Sequence, residues 1–160
     1  MTELPVPTWR EAAAGDAPLL LEMMREFYAA EDLSFDEARA SRALAELVGN
    51  RALGRIWFIE TGGQPAGYVV LAFGFSLEFG GLDAFVDEFY VRPAFERRGL
   101  GRETLAFVER EAHVLGVRTL LLEVRAGNDR ARLLYERAGF LERNNSLMAK
   151  RLRTTERRGA

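Results

Sequence analysis

Three strand-forming segments follow one another with almost no chain between them, and this arrangement restricts the fold more than any other feature. The segments are residues 55–60, 65–75 and 82–91, and glycine pairs at 62–63 and 80–81 separate them. Glycine supplies the positive φ that tight turns require, so strands joined in this way run antiparallel. The middle of the chain is therefore predicted to form an antiparallel meander.

Apolar residues at helical spacing lie on both sides of the meander. The spacing predicts four helices, which begin near Asp16, at a capping box of Ser34 and Glu37, near Gly101 and near Asp129. Alternation of strands and helices along one chain is typical of mixed α/β domains. No internal repeat and no linker interrupts this order.

Three further segments are predicted to be strands: residues 6–10, the nearly continuous apolar run 117–124, and residues 146–152. A continuous apolar run indicates a strand that is covered on both faces. The expected fold is thus a single α/β domain over residues 1–153. It has a mostly antiparallel twisted sheet of six to seven strands flanked by four helices. Residues 154–160 are expected to be a flexible tail.

The composition excludes several classes of site. The chain has no cysteine and one histidine, so a disulfide framework, a thiolate metal site and a cysteine nucleophile are excluded, and we expect no metal. The apolar runs are far shorter than the roughly 20 residues that cross a bilayer, and the N-terminus lacks the pattern of a secretory signal. We therefore expect a cytoplasmic protein with no membrane partner.

Charge is distributed unevenly between the two parts of the chain. Residues 1–91 contain 6 arginines and 15 acids, a net charge of −9, and residues 92–160 carry a net charge of +7. A basic region favours a polyanionic ligand and an acidic region favours a cationic one. Nucleic acid is not the expected polyanion, because the chain is net acidic and shows no basic helix with interleaved aromatics.

Residues 90–102, with the sequence YVRPAFERRGLGR, combine the end of a strand, an arginine- and glycine-rich loop and the start of a helix. Glycines allow close approach of the backbone to an anion, and the first N–H groups of a helix have no partner within the helix. The pattern predicts a phosphate site formed by Arg97, Arg98, Gly99, Leu100, Gly101 and Arg102. The alternative is a tight turn with solvated arginines.

Two common nucleotide-binding loops do not fit this segment. A dinucleotide fingerprint would require glycine or alanine where Thr104 stands, and the Gly-Lys-Ser/Thr of a Walker loop is absent. The expected anion is therefore neither a nicotinamide dinucleotide nor a nucleoside triphosphate.

A second motif follows the run 117–124. Asn128, Ala131, Tyr135, Gly139 and Phe140 occupy every position of Asn-x-x-Ala-x-x-x-Tyr-x-x-x-Gly-Phe. Together with the preceding loop, which is similar to Val-x-Pro-x-x-Arg/Gln-x-x-Gly-x-Gly, this motif resembles the GNAT superfamily of N-acetyltransferases. The order of elements from residue 6 to 152 extends the resemblance over nearly the whole chain.

The loop departs from the family pattern at one position. Glu96 stands where the family usually places arginine or glutamine. A carboxylate beside a phosphate site must turn away or pair with a neighbouring arginine. The departure affects the expected affinity for the anion more than the resemblance itself.

The resemblance implies transfer of an acetyl group from acetyl-CoA, a cosubstrate, to a primary amine by direct attack in a ternary complex. It implies that the pantetheine lies along the strand that ends at Val91 and that the backbone N–H groups of Phe89, Tyr90 and Val91 hold the thioester carbonyl. Asn128 and Tyr135 also belong to the implied cofactor site. Tyr135 is then the acid that protonates the departing thiolate, although its spacing also suits a core aromatic.

An ammonium substrate must lose a proton before it attacks, and three acids are candidates for the base: Asp87, Glu88 and Glu123. Glu123 interrupts an apolar strand, where a carboxylate needs a partner or a cleft, and it matches the base of family members that acetylate protein N-termini. Asp87 and Glu88 lie on opposite strand faces unless a bulge intervenes. Ion pairs with arginines, a water relay or an amine that arrives neutral are the alternatives.

Acids and aromatics of the first two helices and of the 75–79 hairpin suit a cationic amine, and Phe27, Glu31 and Glu78 are the candidate substrate-binding residues. The expected acceptor is a small molecule. A protein N-terminus or lysine is the alternative acceptor, and a non-catalytic acyl-CoA-binding module is the alternative function. A homodimer is left open, since no segment marks an interface.

Overall fold

A computed structural model describes residues 5–153 of the chain. Its elements are β1 (Thr8–Glu11), α1 (Ala17–Ala30), α2 (Glu37–Gly49), β2 (Gly54–Thr61), β3 (Gln64–Ser76), β4 (Gly81–Val91), α3 (Leu100–Val114), β5 (Thr119–Leu121) and α4 (Asp129–Arg137), with short 3-10 turns at Ala14–Asp16 and Pro93–Phe95. The strands form one sheet in the order β1-β2-β3-β4-β5. β1 to β4 are antiparallel, and β5 is parallel to β4.

The predicted meander is confirmed as β2, β3 and β4. Both connections are tight, and Gly62, Gly63 and Gly80 have φ values of +58°, +74° and +78°. Only glycine adopts such values without steric cost. The mixed α/β fold with four helices is also confirmed within the described residues.

The predicted number of strands is wrong. Five strands are present in residues 5–153 instead of six or seven, and residues 146–152 form none. Leu147, Met148 and Leu152 are 73%, 92% and 80% exposed. Two of these apolar residues are adjacent instead of alternating, so the segment has no single apolar face to bury against the sheet.

The apolar run 117–124 yields a shorter strand than predicted. Only Thr119–Leu121 is a strand, and its residues are half-buried instead of covered on both faces. Residues 122–125 leave the sheet and line a cleft. The apolar residues among them, Leu122 and Val124, line the cleft instead of continuing the strand.

The start of α2 also differs from the prediction. Asp36, not Ser34, caps the helix, and its carboxylate accepts a 3.0 Å hydrogen bond from the backbone N–H of Arg39. An aspartate is as good a cap as a serine and stands directly before Glu37. The predicted tail at 154–160 lies outside the described residues. Within residues 5–153, no helix combines the length and apolar character needed to cross a membrane.

Helices cover both faces of the sheet. On one face, α1 and α2 pack on Phe58 and Tyr68, and on the other, α3 packs on Trp57 and Val69. Neighbouring residues of β2 and β3 thus serve opposite cores, as period-two alternation requires. This packing supports the meander on both faces. β4 is the strand of the meander that pairs with β5.

Close contact between β3 and β4 generates a testable prediction. A Cβ atom at Gly67 would lie 2.0 Å from the carbonyl oxygen of Tyr90, whereas one at Gly49 meets nothing within 4 Å. We expect Gly67→Ala to lower the free energy of unfolding by about 1–3 kcal/mol, because the strands must move apart. Gly49→Ala, the matched control, should leave it unchanged or raise it by up to about 1 kcal/mol. Urea unfolding followed by circular dichroism measures both, and equal stability of the two variants would contradict the prediction.

Candidate active site

The candidate site begins where β4 and β5 separate. The two strands pair only through Asp83 with Thr119, Ala84 with Leu120 and Phe85 with Leu121. β4 then continues to Val91, while residues 122–125 follow no strand. Between them lies a cleft of about 970 Å³, which the end of α1, the loop after β4 and α4 also line. This volume is within the range of small-molecule sites.

The loop between β4 and α3 presents backbone donors to the cleft. Within residues 5–153, the N–H groups of residues 97–102 have no protein acceptor, and Glu103 is the first residue of the helix to donate, to the carbonyl of Gly99 at 3.1 Å. The N-terminus of α3 adds a partial positive charge. Six consecutive unpaired donors at a helix start form an anion-binding arrangement.

Glycine has a structural reason at two positions of this loop. Gly99 has a φ of +81°, which turns the chain into α3. A Cβ at Gly101 would lie 3.0 Å from Cδ2 of Leu134, so glycine here lets the start of α3 approach α4 closely. Together the two glycines place the free N–H groups beside α4.

Glu96 forms an ion pair across the cleft. Its Oε2 lies 3.1 Å from Nη1 of Arg130, a residue of α4. The backbone N–H of Glu96 donates to the carbonyl of Pro93. Glu96 is thus paired with an arginine, one of the two outcomes that the sequence allowed, and its charge stays next to the free N–H groups.

α4 brings a tyrosine into the cleft. Asn128 caps this helix by accepting a 3.2 Å hydrogen bond from the backbone N–H of Ala131. Tyr135 lies two turns further along and lines the cleft, with its ring edge-on to Phe140. Within the described residues its hydroxyl has no hydrogen-bond partner. Burial and the negative charge of Glu31 raise the pKa of Tyr135, so the phenol is protonated at neutral pH.

A β-bulge turns two neighbouring carboxylates into the cleft. Val70 pairs with Glu88 and Leu71 pairs with Val86, so Asp87 is an extra residue on β4. Both Asp87 and Glu88 line the cleft. Strict alternation would have placed them on opposite faces, and the bulge removes this restriction.

The two carboxylates differ in their partners. Glu88 accepts hydrogen bonds from the hydroxyls of Tyr28 at 2.7 Å and Tyr68 at 2.8 Å. Asp87 is solvent-accessible within the cleft and has no hydrogen-bond or ion-pair partner among residues 5–153. Desolvation by the cleft walls raises the pKa of both groups, and for Glu88 the two phenol hydrogen bonds oppose the rise.

Glu123 and Arg125 form the opposite wall. Glu123 lies beyond the end of β5 and is exposed at the cleft, instead of interrupting a buried strand as predicted, and it lacks an ion-pair partner within the described residues. Nη1 of Arg125 donates to the backbone carbonyl of Glu31 at 2.7 Å, and its Nε lies 3.9 Å from the Glu31 carboxylate. Arg125 therefore connects the chain after β5 to the end of α1 across one end of the cleft.

The structure brings most of the sequence-predicted site residues to this cleft. Those that line it are Phe27, Glu31, Asp87, Glu88, Phe89, Tyr90, Val91, Arg97, Gly99, Leu100, Gly101, Arg102, Glu123, Asn128 and Tyr135. Two do not line it. Arg98 stacks over the ring of Phe95, and Glu78 forms an exposed ion pair with Arg143 at 2.6 Å.

Sequence reasoning missed Tyr28, Tyr68, Arg125 and Arg130. Tyr68 is the clearest case, because it is 1% exposed and a buried tyrosine needs a partner for its hydroxyl. That need was visible in the sequence, but the partner depends on tertiary structure.

Comparison with protein families gives one match over most of the chain. The model of the acetyltransferase (GNAT) family matches residues 20–140. A [ribosomal protein bS18]-alanine N-acetyltransferase of Salmonella typhimurium is 54% identical over 52 residues, 32% of this chain and 35% of that protein. The N-acetyltransferase YycN of Bacillus subtilis, itself uncharacterised, is 36% identical over 70 residues, 44% of each chain. The chain thus matches less than half the length of these curated relatives.

Solved structures share the fold over nearly the full chain. An integron cassette protein from the mobile metagenome of Cole Harbour Salt Marsh is 41% identical, with a TM-score of 0.81 over 92% of this chain and 91% of that one. A predicted acetyltransferase of Clostridium acetobutylicum, crystallised with acetyl-CoA, is 18% identical, with a TM-score of 0.77 over 91% and 96%. At that identity the second likeness concerns the fold alone.

Proposed function

Because the chain belongs to the acetyltransferase (GNAT) family, we propose that it transfers an acetyl group from acetyl-CoA to a primary amine by direct attack in a ternary complex. The observation that carries the proposal is the placement of three features in one cleft. These are the free backbone donors of residues 97–102, the edge of β4 that has no strand beside it after Phe85, and the hydroxyl of Tyr135.

The donor set fits the chemistry of acetyl-CoA. Its diphosphate is an anion that accepts hydrogen bonds, and the N–H groups of residues 97–102 with Arg97 and Arg102 supply donors and positive charge. Its pantetheine contains amides, and the edge of β4 beyond Phe85 has lost its pairing with β5. We therefore assign the diphosphate to the loop and the pantetheine to β4.

When bound, acetyl-CoA supplies an activated acyl carbon, and residues of the cleft accept and donate the protons of the reaction. A carboxylate takes a proton from the ammonium group, and the resulting amine forms the new C–N bond as the C–S bond breaks. Tyr135, whose raised pKa leaves it protonated beforehand, donates its proton to the departing thiolate, and the phenolate takes up the second proton that the acetylated nitrogen must lose. The backbone N–H groups of Phe89 and Val91 are proposed to polarise the thioester carbonyl. The register directs the N–H of Tyr90, which the family resemblance also implied, to its partner Tyr68 on β3.

The proposed acceptor is a small cationic amine. Four carboxylates line the cleft away from the arginine-rich loop: Glu31, Asp87, Glu88 and Glu123. Arg125, which lies at this end, is engaged with Glu31. An excess of negative charge favours an ammonium group over an acceptor that carries its own carboxylate nearby.

A protein N-terminus is the second candidate acceptor. Two observations favour it: Glu123 lines the cleft, and the bS18-alanine N-acetyltransferase is 54% identical over 52 residues. A lysine side chain would use the same carboxylates. A non-catalytic acyl-CoA-binding module, the remaining alternative, would have no need for an unpartnered phenol beside free carboxylates.

Thiol release from acetyl-CoA tests the proposal and separates the acceptors. The panel contains small mono- and diamines, peptides with a free N-terminal alanine, and N-terminally blocked peptides with one lysine. We expect the highest kcat/KM with a small amine. A preference for the alanine peptide would select the second candidate, and binding of acetyl-CoA without release by any acceptor would select the non-catalytic module.

The ion pair of Glu96 generates a prediction for cosubstrate affinity. Glu96→Gln removes a negative charge next to the free N–H groups and releases Arg130, so we expect Kd for CoA to fall roughly two- to fivefold at low salt. The gain should fade as salt screens the charges. Glu142→Gln is the matched control, because Glu142 forms a similar exposed pair with Arg132 outside the cleft lining. Calorimetry measures both variants, and an unchanged or higher Kd for Glu96→Gln would refute the effect.

The free hydroxyl of Tyr135 generates a prediction for turnover. Tyr135→Phe keeps the ring and removes the proton donor, so we expect kcat to fall by about 10²- to 10⁴-fold with little change in Kd for acetyl-CoA. Phe140→Leu is the control for packing, because Phe140 contacts the ring of Tyr135 without carrying a hydroxyl. It should lower kcat far less. Turnover of Tyr135→Phe at the wild-type rate would remove the acid role.

A further inference from the structure

Two tyrosines from different elements hold one carboxylate of the cleft. We propose that Glu88 is the general base of the reaction and that Tyr28 is a positioning residue, which orients Glu88 and sets its basicity. This inference rests on the proposed acetyl transfer and goes beyond it, because it chooses among three acids and adds a residue of α1 to the machinery.

The geometry fixes the Glu88 side chain at both oxygens. Oε2 accepts from the hydroxyl of Tyr28 and Oε1 accepts from the hydroxyl of Tyr68. Tyr68 is 1% exposed, so water cannot replace its hydrogen bond to Glu88. A carboxylate has about four acceptor positions, and two remain for an ammonium proton. Glu88 is therefore fixed in place and still able to accept.

The other two acids lack this arrangement. Neither Asp87 nor Glu123 has a hydrogen-bond or ion-pair partner in the part of the chain that the structure describes, so no polar contact there orients either carboxylate. A base is effective when it is held in reach of the proton it takes. The bulge at Asp87 turns Glu88 toward the cleft without breaking its contact with Tyr68.

The two phenols control the pKa of Glu88, because the other groups around its carboxylate do not stabilise the charged form. Tyr28 of α1 and Tyr68 of β3 donate hydrogen bonds to it, and Asp87 is its like-charged neighbour on β4. The ring of Tyr90 packs edge-on to that of Tyr68, and its hydroxyl donates to Glu26. Across the cleft lie Glu31, Glu123, Arg125 and Tyr135. Glu88 has no ion-pair partner within residues 5–153. Burial and Asp87 raise the pKa of Glu88, and only the two phenols lower it.

Tyr28 is the more informative of the two tyrosines to change. It is half-buried at the end of α1, and its ring lies edge-on to Phe27 and Phe35 at 5.8 and 5.3 Å between centroids. Tyr28→Phe preserves these ring contacts and removes one hydroxyl. Phe35→Leu is the matched control, since it loosens the same packing and keeps the hydroxyl on Glu88.

The test is the pH dependence of kcat/KM. Glu88 must be deprotonated to act, so activity falls at low pH with the apparent pKa of Glu88. Tyr28→Phe removes a hydrogen bond that favours the charged form, so we expect the acidic limb to move up by about one pH unit. The plateau at higher pH and KM for acetyl-CoA should stay near wild type, and Phe35→Leu should leave the limb in place. An unmoved limb in Tyr28→Phe, or Glu88→Gln that retains full turnover, would overturn the proposal.

A second measurement separates this inference from the proposed function. NMR titration of glutamate carboxyl carbons in the ligand-free protein should show the same upward shift of the Glu88 pKa in Tyr28→Phe. If the wild-type protein transfers no acetyl group, the proposed function and the base assignment both fail, while the titration still shows the effect of Tyr28 on Glu88. If transfer occurs and the titration is unchanged, only the role of Tyr28 fails.

Discussion

The separation of β4 from β5 after three residue pairs governs the rest of the structure. Backbone N–H and C=O groups need partners, and a strand that loses its neighbour must find them elsewhere. In most sheets another strand would supply them. Here the strands diverge around a cleft, so those backbone groups of β4 beyond Phe85 that do not pair with β3 are left to bind water or an extended ligand. The same divergence leaves room for α4, whose Leu134 side chain packs closely against Gly101 at the start of α3.

The bulge at Asp87 determines what chemistry this cleft can support. A regular β4 would place Asp87 and Glu88 on opposite faces of the sheet. The extra residue turns both acids toward the cleft, while Tyr68 of β3 still reaches Glu88. The irregular pairing of β3 and β4 thus places two carboxylates with different partners side by side in the cleft.

The sequence predicted the parts of the structure that depend on local chemistry. The meander followed from strand segments joined by glycine pairs, and the free donors at residues 97–102 followed from an arginine- and glycine-rich helix start. The predictions were wrong or incomplete where two residues could serve the same local role equally well, or where tertiary contacts determine the structure. Asp36 and Ser34 are comparable caps, and residues 146–152 carry apolar side chains without the alternation that a half-buried strand needs. The contact of Tyr28 with Glu88 joins residues 60 positions apart, which no local pattern encodes.

Burial alone would drive the proposed acid and the proposed base of this cleft toward the same protonation state. Desolvation favours the neutral form of both Tyr135 and Glu88, so it supports a proton donor and opposes a proton acceptor. The neighbours separate the two roles. The negative charge of Glu31 reinforces the protonated form of Tyr135, whereas the phenols of Tyr28 and Tyr68 stabilise the charged form of Glu88. The proposed acid and the proposed base can thereby act in one cleft at the same pH, because each is paired with the neighbour that its proposed role requires.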